Sequence, residues 1–213
     1  MVYKSNTVLL QIIVLAFACL MPHLVWADEQ PLRILAVHFP PYEFEAPRDG
    51  LKGFDVEVVE TVFQSFGKKT KVEFFPWPRA VKIAYAGKAM ALLSCTHTKD
   101  RDAHLYFSEI ISTATDGYFQ RKKYPDSGFS TIKELRGQRI AAVRGYTGQK
   151  TLENLEIEHL LVRSDEIGLN MLIGKRVDFF YTPKEATLFI AKQKGITDKI
   201  KFQPLNTKSY HLC

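Results

Sequence analysis

The strongest constraint on this chain is an alternation. From residue 33 to residue 205, short β-rich apolar runs take turns with stretches whose apolar residues recur every three or four positions. Residues 33–39 read as a strand, ended by Pro40-Pro41. From Asp55 the apolar residues fall at Val58, Val59, Val62, Phe63 and Phe66. That spacing buries one helix face, and Gly67 stands where a helix-ending glycine belongs. Residues 72–75 form the next strand, and Pro78 can open a helix that runs to Gly87. Residues 89–96 read as a buried strand and residues 105–111 as another. The pattern then repeats. Thr131 and Glu134 have the spacing of a capping box before a short helix. Strands are expected at 139–143, 159–162, 177–181 and 199–205, and helices at 147–155, 165–173 and 183–194. Such alternation requires mainly parallel sheets with helices on both faces. Two sets, divided near residues 112–124, predict an α/β chain of two lobes. In open α/β sheets ligands bind beyond the carboxyl ends of the strands, so two facing lobes would share one cleft.

The first 27 residues stand apart. Lys4, an apolar stretch over residues 7–20 broken by Gln11, then Pro22 and Val25-Trp26-Ala27 read as a secretory signal peptide cleaved after Ala27. The apolar stretch is short for a spanning helix, which needs about 20 apolar residues. An uncleaved anchor is the alternative. Cys19 fits a lipid-anchor site poorly, because Ala16-Phe17-Ala18 precede it and apolar residues follow. The formal charge is +6, with the basic residues scattered in runs no longer than Arg121-Lys122-Lys123. A nucleic-acid binder clusters its basic residues and interleaves aromatics for stacking. The chain reads instead as an exported basic protein with no nucleic-acid partner.

Beyond the signal segment the cysteines are Cys95 and Cys213. An exported chain can pair them, but spacing alone neither requires nor excludes the bond. No Cys-x-x-Cys or His-x-His cluster offers a metal site, so neither metal nor cofactor is expected.

Six segments occur in a telling order: Pro40-Pro41-Tyr42; Gly53-Phe54-Asp55-Val56-Glu57; Thr96-His97-Thr98-Lys99-Asp100-Arg101 followed by Tyr106-Phe107-Ser108; Leu135-Arg136-Gly137-Gln138-Arg139-Ile140; Gly145-Tyr146-Thr147; and Gly174-Lys175-Arg176-Val177-Asp178. In these the chain resembles the family 3 extracellular solute-binding proteins, the polar amino-acid-binding components of ABC importers. Pro76-Trp77-Pro78-Arg79-Ala80 also resembles a branch of that family whose ligands are poorly defined. The resemblance implies a two-lobed periplasmic binding protein type II fold with a ligand cleft between the lobes. Lobe one is expected over residues 28–115, lobe two over 116–204 and a return crossing over 205–213, with the crossings around 112–120 and 202–209. Family members continue beyond that point and add helices to lobe one. A chain that stops at Cys213 is therefore expected to be truncated relative to them and to expose apolar surface on lobe one.

The resemblance also selects site residues. Arg101 ends a Thr-x-x-Arg motif whose arginine clamps the ligand's α-carboxylate in the family, and a guanidinium fork suits that task. Ser94 and Thr96 precede it on the expected strand, on one face by period-two alternation, with hydroxyls that can donate or accept. Gly145, Tyr146 and Thr147 lie between a strand and a helix, where free backbone N–H groups favour an anion. Tyr42 and Trp77 are candidates for aromatic cleft walls, with a place in the core as the alternative for each, and Tyr42 is favoured because it follows the Pro-Pro break on a loop. Arg79 is a candidate for a second cationic contact, with a solvated helix position as the alternative. Amino-acid-binding relatives carry an aspartate for the α-ammonium at a position that falls near Pro183 here, and Tyr181-Thr182-Pro183 supplies no carboxylate. That departure weighs against an ordinary α-amino acid ligand. Asp178 reads as structural.

The implied function is capture of a small polar solute, amino-acid-like or a carboxylate, by hinge closure in the periplasm. The partner would be an ABC permease in the inner membrane, and the protein a monomer. An enzyme on the same fold, dehydratase-like, would need a positioned acid or base. His38, His97 and His104 are the candidates, and none has a visible triad partner or metal-ligand spacing. A ligand-sensing domain and a non-functional fragment are the other readings.

Overall fold

In the computed structural model, which describes residues 30–125 and 128–213, the strands form two sheets. The expected signal peptide and Cys19 lie outside the described residues. The first sheet is parallel, in the order β2-β1-β3, with β1 at Leu32–Ala36, β2 at Thr70–Phe74 and β3 at Ala91–Leu92. Ile34, Leu35 and Ala36 of the central strand are all fully buried, because helices cover both faces. Helix α1 (Phe54–Ser65) covers one face with Val56, Val59 and Phe63. Helix α2 (Trp77–Tyr85) covers the other with Trp77, Ala80 and Ala84. Gly53 caps α1 at φ 99, and a Cβ there would clash with the Tyr42 carbonyl oxygen. Pro78 falls inside the first turn of α2, where a missing N–H has no helical partner to lose.

Three expectations for this half need correction. Val58, Val62 and Phe66 were expected on the buried face of α1, yet they are exposed, together with Phe54. The apolar arc of α1 is wider than the flank that a three-stranded sheet covers. Lobe one thus carries the exposed apolar surface that was expected of it. The strand expected at 89–96 shrinks to two residues, because Ser94 turns the backbone to φ 47. Residues 105–109 are likewise not strand, and the chain is extended only from Ile110. A single helical turn, α3 (Lys99–Asp102), lies between, capped by the Thr98 hydroxyl.

The second sheet has the order β6-β5-β7-β4-β8. Its parallel part joins β5 (Ile140–Val143), β6 (Leu160–Val162) and β7 (Phe179–Pro183). Helices α4 (Thr147–Asn154) and α5 (Asp165–Ile173) connect them, and α6 (Lys184–Gln193) follows β7. Ile140, Ala142, Phe179 and Tyr181 point to one core with Leu135 and Leu152, while Ala141, Val143 and Phe180 point to another with Leu169, Leu172 and Ala191. The capping box forms: the Glu134 carboxylate accepts from the Thr131 amide at 2.8 Å. Asp178 is structural, as expected, bridging Arg121 at 2.6 Å and Arg139 at 2.8 Å, and these partners hold its carboxyl below the usual range.

The antiparallel part is two long strands, β4 (Ile110–Arg121) and β8 (Ile200–His211), paired from Ile110–His211 to Arg121–Ile200. The strand expected at 199–205 therefore runs six residues further. Its end pairs with the first sheet: Cys95 and His211 exchange backbone hydrogen bonds of 2.8 and 2.9 Å, and Leu92 and Cys213 bonds of 2.6 and 3.0 Å. There Cys95 and Cys213 form a disulfide across a sequence separation of 118. The bond that spacing left open is made.

Beneath this junction lie two buried carboxyls. Asp55 accepts from the Ser94 hydroxyl at 2.6 Å and the Ser112 hydroxyl at 2.9 Å. Glu43 accepts from the Val37 amide at 2.8 Å, while its other oxygen has no partner among the described residues. Burial pushes the Glu43 carboxyl up to about 8 and raises Asp55 as well.

Two predictions follow from these features. Replacing Cys95 and Cys213 by Ser lowers the unfolding free energy by roughly 2–5 kcal/mol, the usual range for a lost native disulfide, read by urea denaturation. An unchanged midpoint would mean that the backbone bonds alone hold the strand end. Because the folded Glu43 binds its proton more tightly than the ordinary 4.5 of a free carboxyl, its contribution is fully present below 4.5 and is lost as pH rises to about 8. The melting temperature should fall across that window, and Glu43→Gln should flatten the fall.

Candidate functional site

A cavity lies where both sheets present the carboxyl ends of their parallel strands. Val37 and Phe39 follow β1, Ser94 and Thr96 follow β3, Tyr146 and Thr147 follow β5, and Pro183 ends β7. Trp77, Arg101, Lys208 and Tyr210 complete the lining. The lobes are closed on it, and about 30 Å³ remains, so a guest larger than a water or two requires them to part.

Arg101 reaches the cavity from the last turn of α3 and is buried. One guanidinium nitrogen, Nη1, donates to the Thr96 carbonyl at 2.7 Å, and the group lies 5.1 Å from the Trp77 ring centroid. These contacts fix the plane of the fork. Burial lowers its pKa, against the pull of Tyr85 and Asp100. Its remaining donors have no hydrogen-bond partner among the described residues, and the Trp77 indole Nε1 is also buried without one.

Of the residues proposed from sequence, Arg101, Ser94, Thr96, Trp77, Tyr146 and Thr147 come together on this cavity. The Ser94 hydroxyl is committed to Asp55, however, so it supports the wall and does not face a guest freely. Tyr42 is a correction. It is fully buried behind Phe39, stacked at 5.0 Å, with its hydroxyl donating to the Thr113 carbonyl at 2.9 Å. The Pro-Pro break turns the chain inward here, and Phe39 takes the wall position. Gly145 is the second correction. Its amide donates to Gln149 Oε1 at 2.6 Å, and its Cα faces the other lobe, where a Cβ would meet Trp77 and Pro78 at 3.1 Å. Arg79 is exposed and lies over the Phe75 ring, away from the cavity.

Sequence reasoning missed Lys208 and Asp116. Lys208 Nζ sits 2.6 Å from Asp116 Oδ2 and 2.8 Å from Thr147 Oγ1, and both charged side chains are more than nine-tenths buried. Burial lowers the lysine's pKa, and Asp116 opposes that. Asp116 Oδ1 is buried without a hydrogen-bond partner. The pair bounds a polar vestibule beside the cavity, with Thr96, Thr151 and Asn206. The signal was period-two alternation of Asn206, Lys208 and Tyr210 along the return crossing, which the structure shows as the end of a long strand.

In lobe two, Tyr146 packs edge-on to Phe39 and Trp77, and its hydroxyl lies 3.3 Å from Asp165 Oδ2. Asp165 also accepts from the Thr182 hydroxyl, and burial raises its pKa. Pro183 stands on the cavity wall at the place where no carboxylate was expected. Glu185 lies in the first turn of α6 and accepts from the Thr115 amide at 3.1 Å. His97, half-exposed, is 3.0 Å from Asp102 at the vestibule, and His104 stacks on Tyr85.

The family model for bacterial extracellular solute-binding proteins, family 3, matches residues 33–206. No curated protein matches the chain. Among solved structures, the chain is similar to a histidine kinase sensor domain with similarity to periplasmic binding proteins. There the TM-score is 0.79 at 16% identity, covering 86% of this chain and 81% of that one. It is similar to the GluR0 ligand-binding core from Nostoc punctiforme in complex with L-glutamate, with a TM-score of 0.73 at 21% identity over 85% and 84%. It is also similar to an ABC uptake transporter substrate binding protein from Streptococcus pneumoniae with bound histidine, with a TM-score of 0.74 at 19% identity over 85% and 78%. At such identities the likeness establishes the two-lobed type II periplasmic binding fold alone.

Proposed function

This chain belongs to the bacterial extracellular solute-binding proteins, family 3, which are binding proteins and not enzymes, and we propose that it captures a small polar solute through a carboxylate held on Arg101. The observation that carries this reading is the state of Arg101. It is buried, its plane is set by Thr96 and Trp77, and it retains unpartnered donors at the junction of two lobes. A planar fork held in that way accepts a carboxylate bidentately with little rotamer entropy left to lose. Lobe one, residues 28–115, binds first. Lobe two, residues 116–204, then swings on the crossing strands and brings Tyr146 and Thr147 over the guest.

The setting we propose is the periplasm, reached through cleavage after Ala27, with the closed monomer docking on an ABC permease of the inner membrane. A sensing role is the second reading, supported by the likeness to a histidine kinase sensor domain. Among the described residues no helix is long and apolar enough to cross a membrane.

A thermal-shift screen of the protein against small carboxylates and amino acids tests the capture. A guest that binds the folded state raises the melting temperature, by an amount that grows with its concentration over Kd. Arg101→Ala should weaken the strongest hit by about 100-fold or more, the scale for truncating one partner of a buried charge pair. Arg101→Lys, which keeps the charge and loses the fork, should fall between. Unchanged affinity in Arg101→Ala would remove Arg101 from the site.

A further inference from the structure

Counting charge in the cleft narrows the guest. Arg101 and Lys208 are the charged residues on the cavity wall, and Lys208 is neutralised by Asp116 at 2.6 Å. Wherever the proton rests within that pair, its net charge is zero, so Arg101 has no counter-charge of its own among the lining residues, beside the walls of Phe39, Trp77, Tyr146 and Tyr210. Asp55, Asp165 and Glu43 lie near but not on this wall, and burial raises the pKa of each, favouring the neutral acid. The Asp165 oxygens accept from Thr182, Thr187 and Tyr146, and Glu43 is buried on the Val37 amide. Asp100, near Arg101, is exposed to solvent, which screens it.

Unbalanced charge in a narrow, aromatic-walled cavity is expensive. A guest with one net negative charge cancels it, whereas a zwitterion leaves the excess in place and adds a second ammonium. That ammonium would need a carboxylate. Asp116 Oδ1 is the buried carboxylate oxygen left unpartnered at the vestibule, and Lys208 already occupies the other oxygen of the same group. Two ammonium groups would then crowd one carboxylate. A neutral donor such as a hydroxyl satisfies Asp116 Oδ1 with no such conflict.

Resting on the reading that Arg101 receives a carboxylate, we propose that this cleft selects small organic acids without an ammonium group, hydroxy acids above all, and that Lys208 is the residue that excludes amino acids. Lys208 does so as a built-in ammonium. It fills the acidic position of the cleft from the chain's own strand and ties it to Thr147 of lobe two.

The test is calorimetric titration of the purified protein with matched pairs of 2-hydroxy and 2-amino acids that bear the same side chain, such as lactate with alanine and phenyllactate with phenylalanine. The hydroxy acid of the best pair should bind at least about tenfold tighter, the scale of one unfavourable charge contact. Lys208→Met should reduce that ratio at least about tenfold or invert it, and Lys208→Arg, which keeps the ion pair, should retain it. Tighter binding by the amino acids, or a ratio unmoved in Lys208→Met, overturns this inference and leaves the carboxylate reading intact. If Lys208→Met does not fold, the wild-type ratio and the Lys208→Arg ratio decide, and a preference for the amino acid in either overturns the inference. Binding by neither series overturns the proposed capture on Arg101 and this inference with it.

Discussion

The antiparallel pairing of β4 with β8 is the constraint from which the rest follows. The two strands that carry the chain between its sheets are hydrogen-bonded to each other from Ile110–His211 to Arg121–Ile200. One end of this ribbon belongs to the five-stranded sheet, and the other reaches Leu92 of the three-stranded sheet and Cys95 just beyond it. A paired ribbon resists stretching and shear but can twist and bend, so it permits rotation of one lobe against the other while fixing their separation. It also forms the floor of the cleft. Side chains that alternate along β8 enter the site whatever the lobes do, and Lys208 and Tyr210 are placed in this way.

Against that floor the two walls differ in chemistry. Lobe one supplies the fixed cation: Arg101 is held by a backbone carbonyl and an indole face and needs no carboxylate of its own. Lobe two supplies hydroxyls and the start of a helix at Thr147. Aromatic rings fill the space between, which keeps the local dielectric low and makes each remaining charge count for more than it would in water. The site is thus rich in donors and poor in free acceptors, the arrangement suited to an oxyanion.

Much of this was legible in the sequence, and the exceptions have physical reasons. The helices at 147–154, 165–173 and 184–193 fall within a residue or so of their expected bounds, because caps at Ser164 and breaks at Pro183, Gly174 and Gly195 coincide with the apolar period. The expected strand at 89–96 failed at Ser94, where a buried carboxyl at Asp55 draws the hydroxyl and the backbone turns to positive φ. No propensity scale carries such a tertiary contact. Arg101, Trp77 and Thr147 were found through local motifs. Lys208 and Asp116 were not, since their partnership spans two strands far apart in sequence and appears only when the register is known. Tyr42 was misplaced because a loop that follows a Pro-Pro break can turn inward as readily as outward, and Phe39 already held the wall.

The disulfide between Cys95 and Cys213 turns the second half of the molecule into a closed covalent ring. Every strand and helix of the five-stranded sheet lies on that ring, and it is sealed a few residues from Arg101. A single cut by a protease in an exposed connection between residues 96 and 212 would therefore release no fragment. Both pieces would remain joined through the sulfur bridge until a reductant reached it. The same topology means that lobe two can swing but cannot slide along its own crossing strands, because both ends of its path are tied to one place in lobe one. Any rotation of one lobe against the other would turn about this fixed seam.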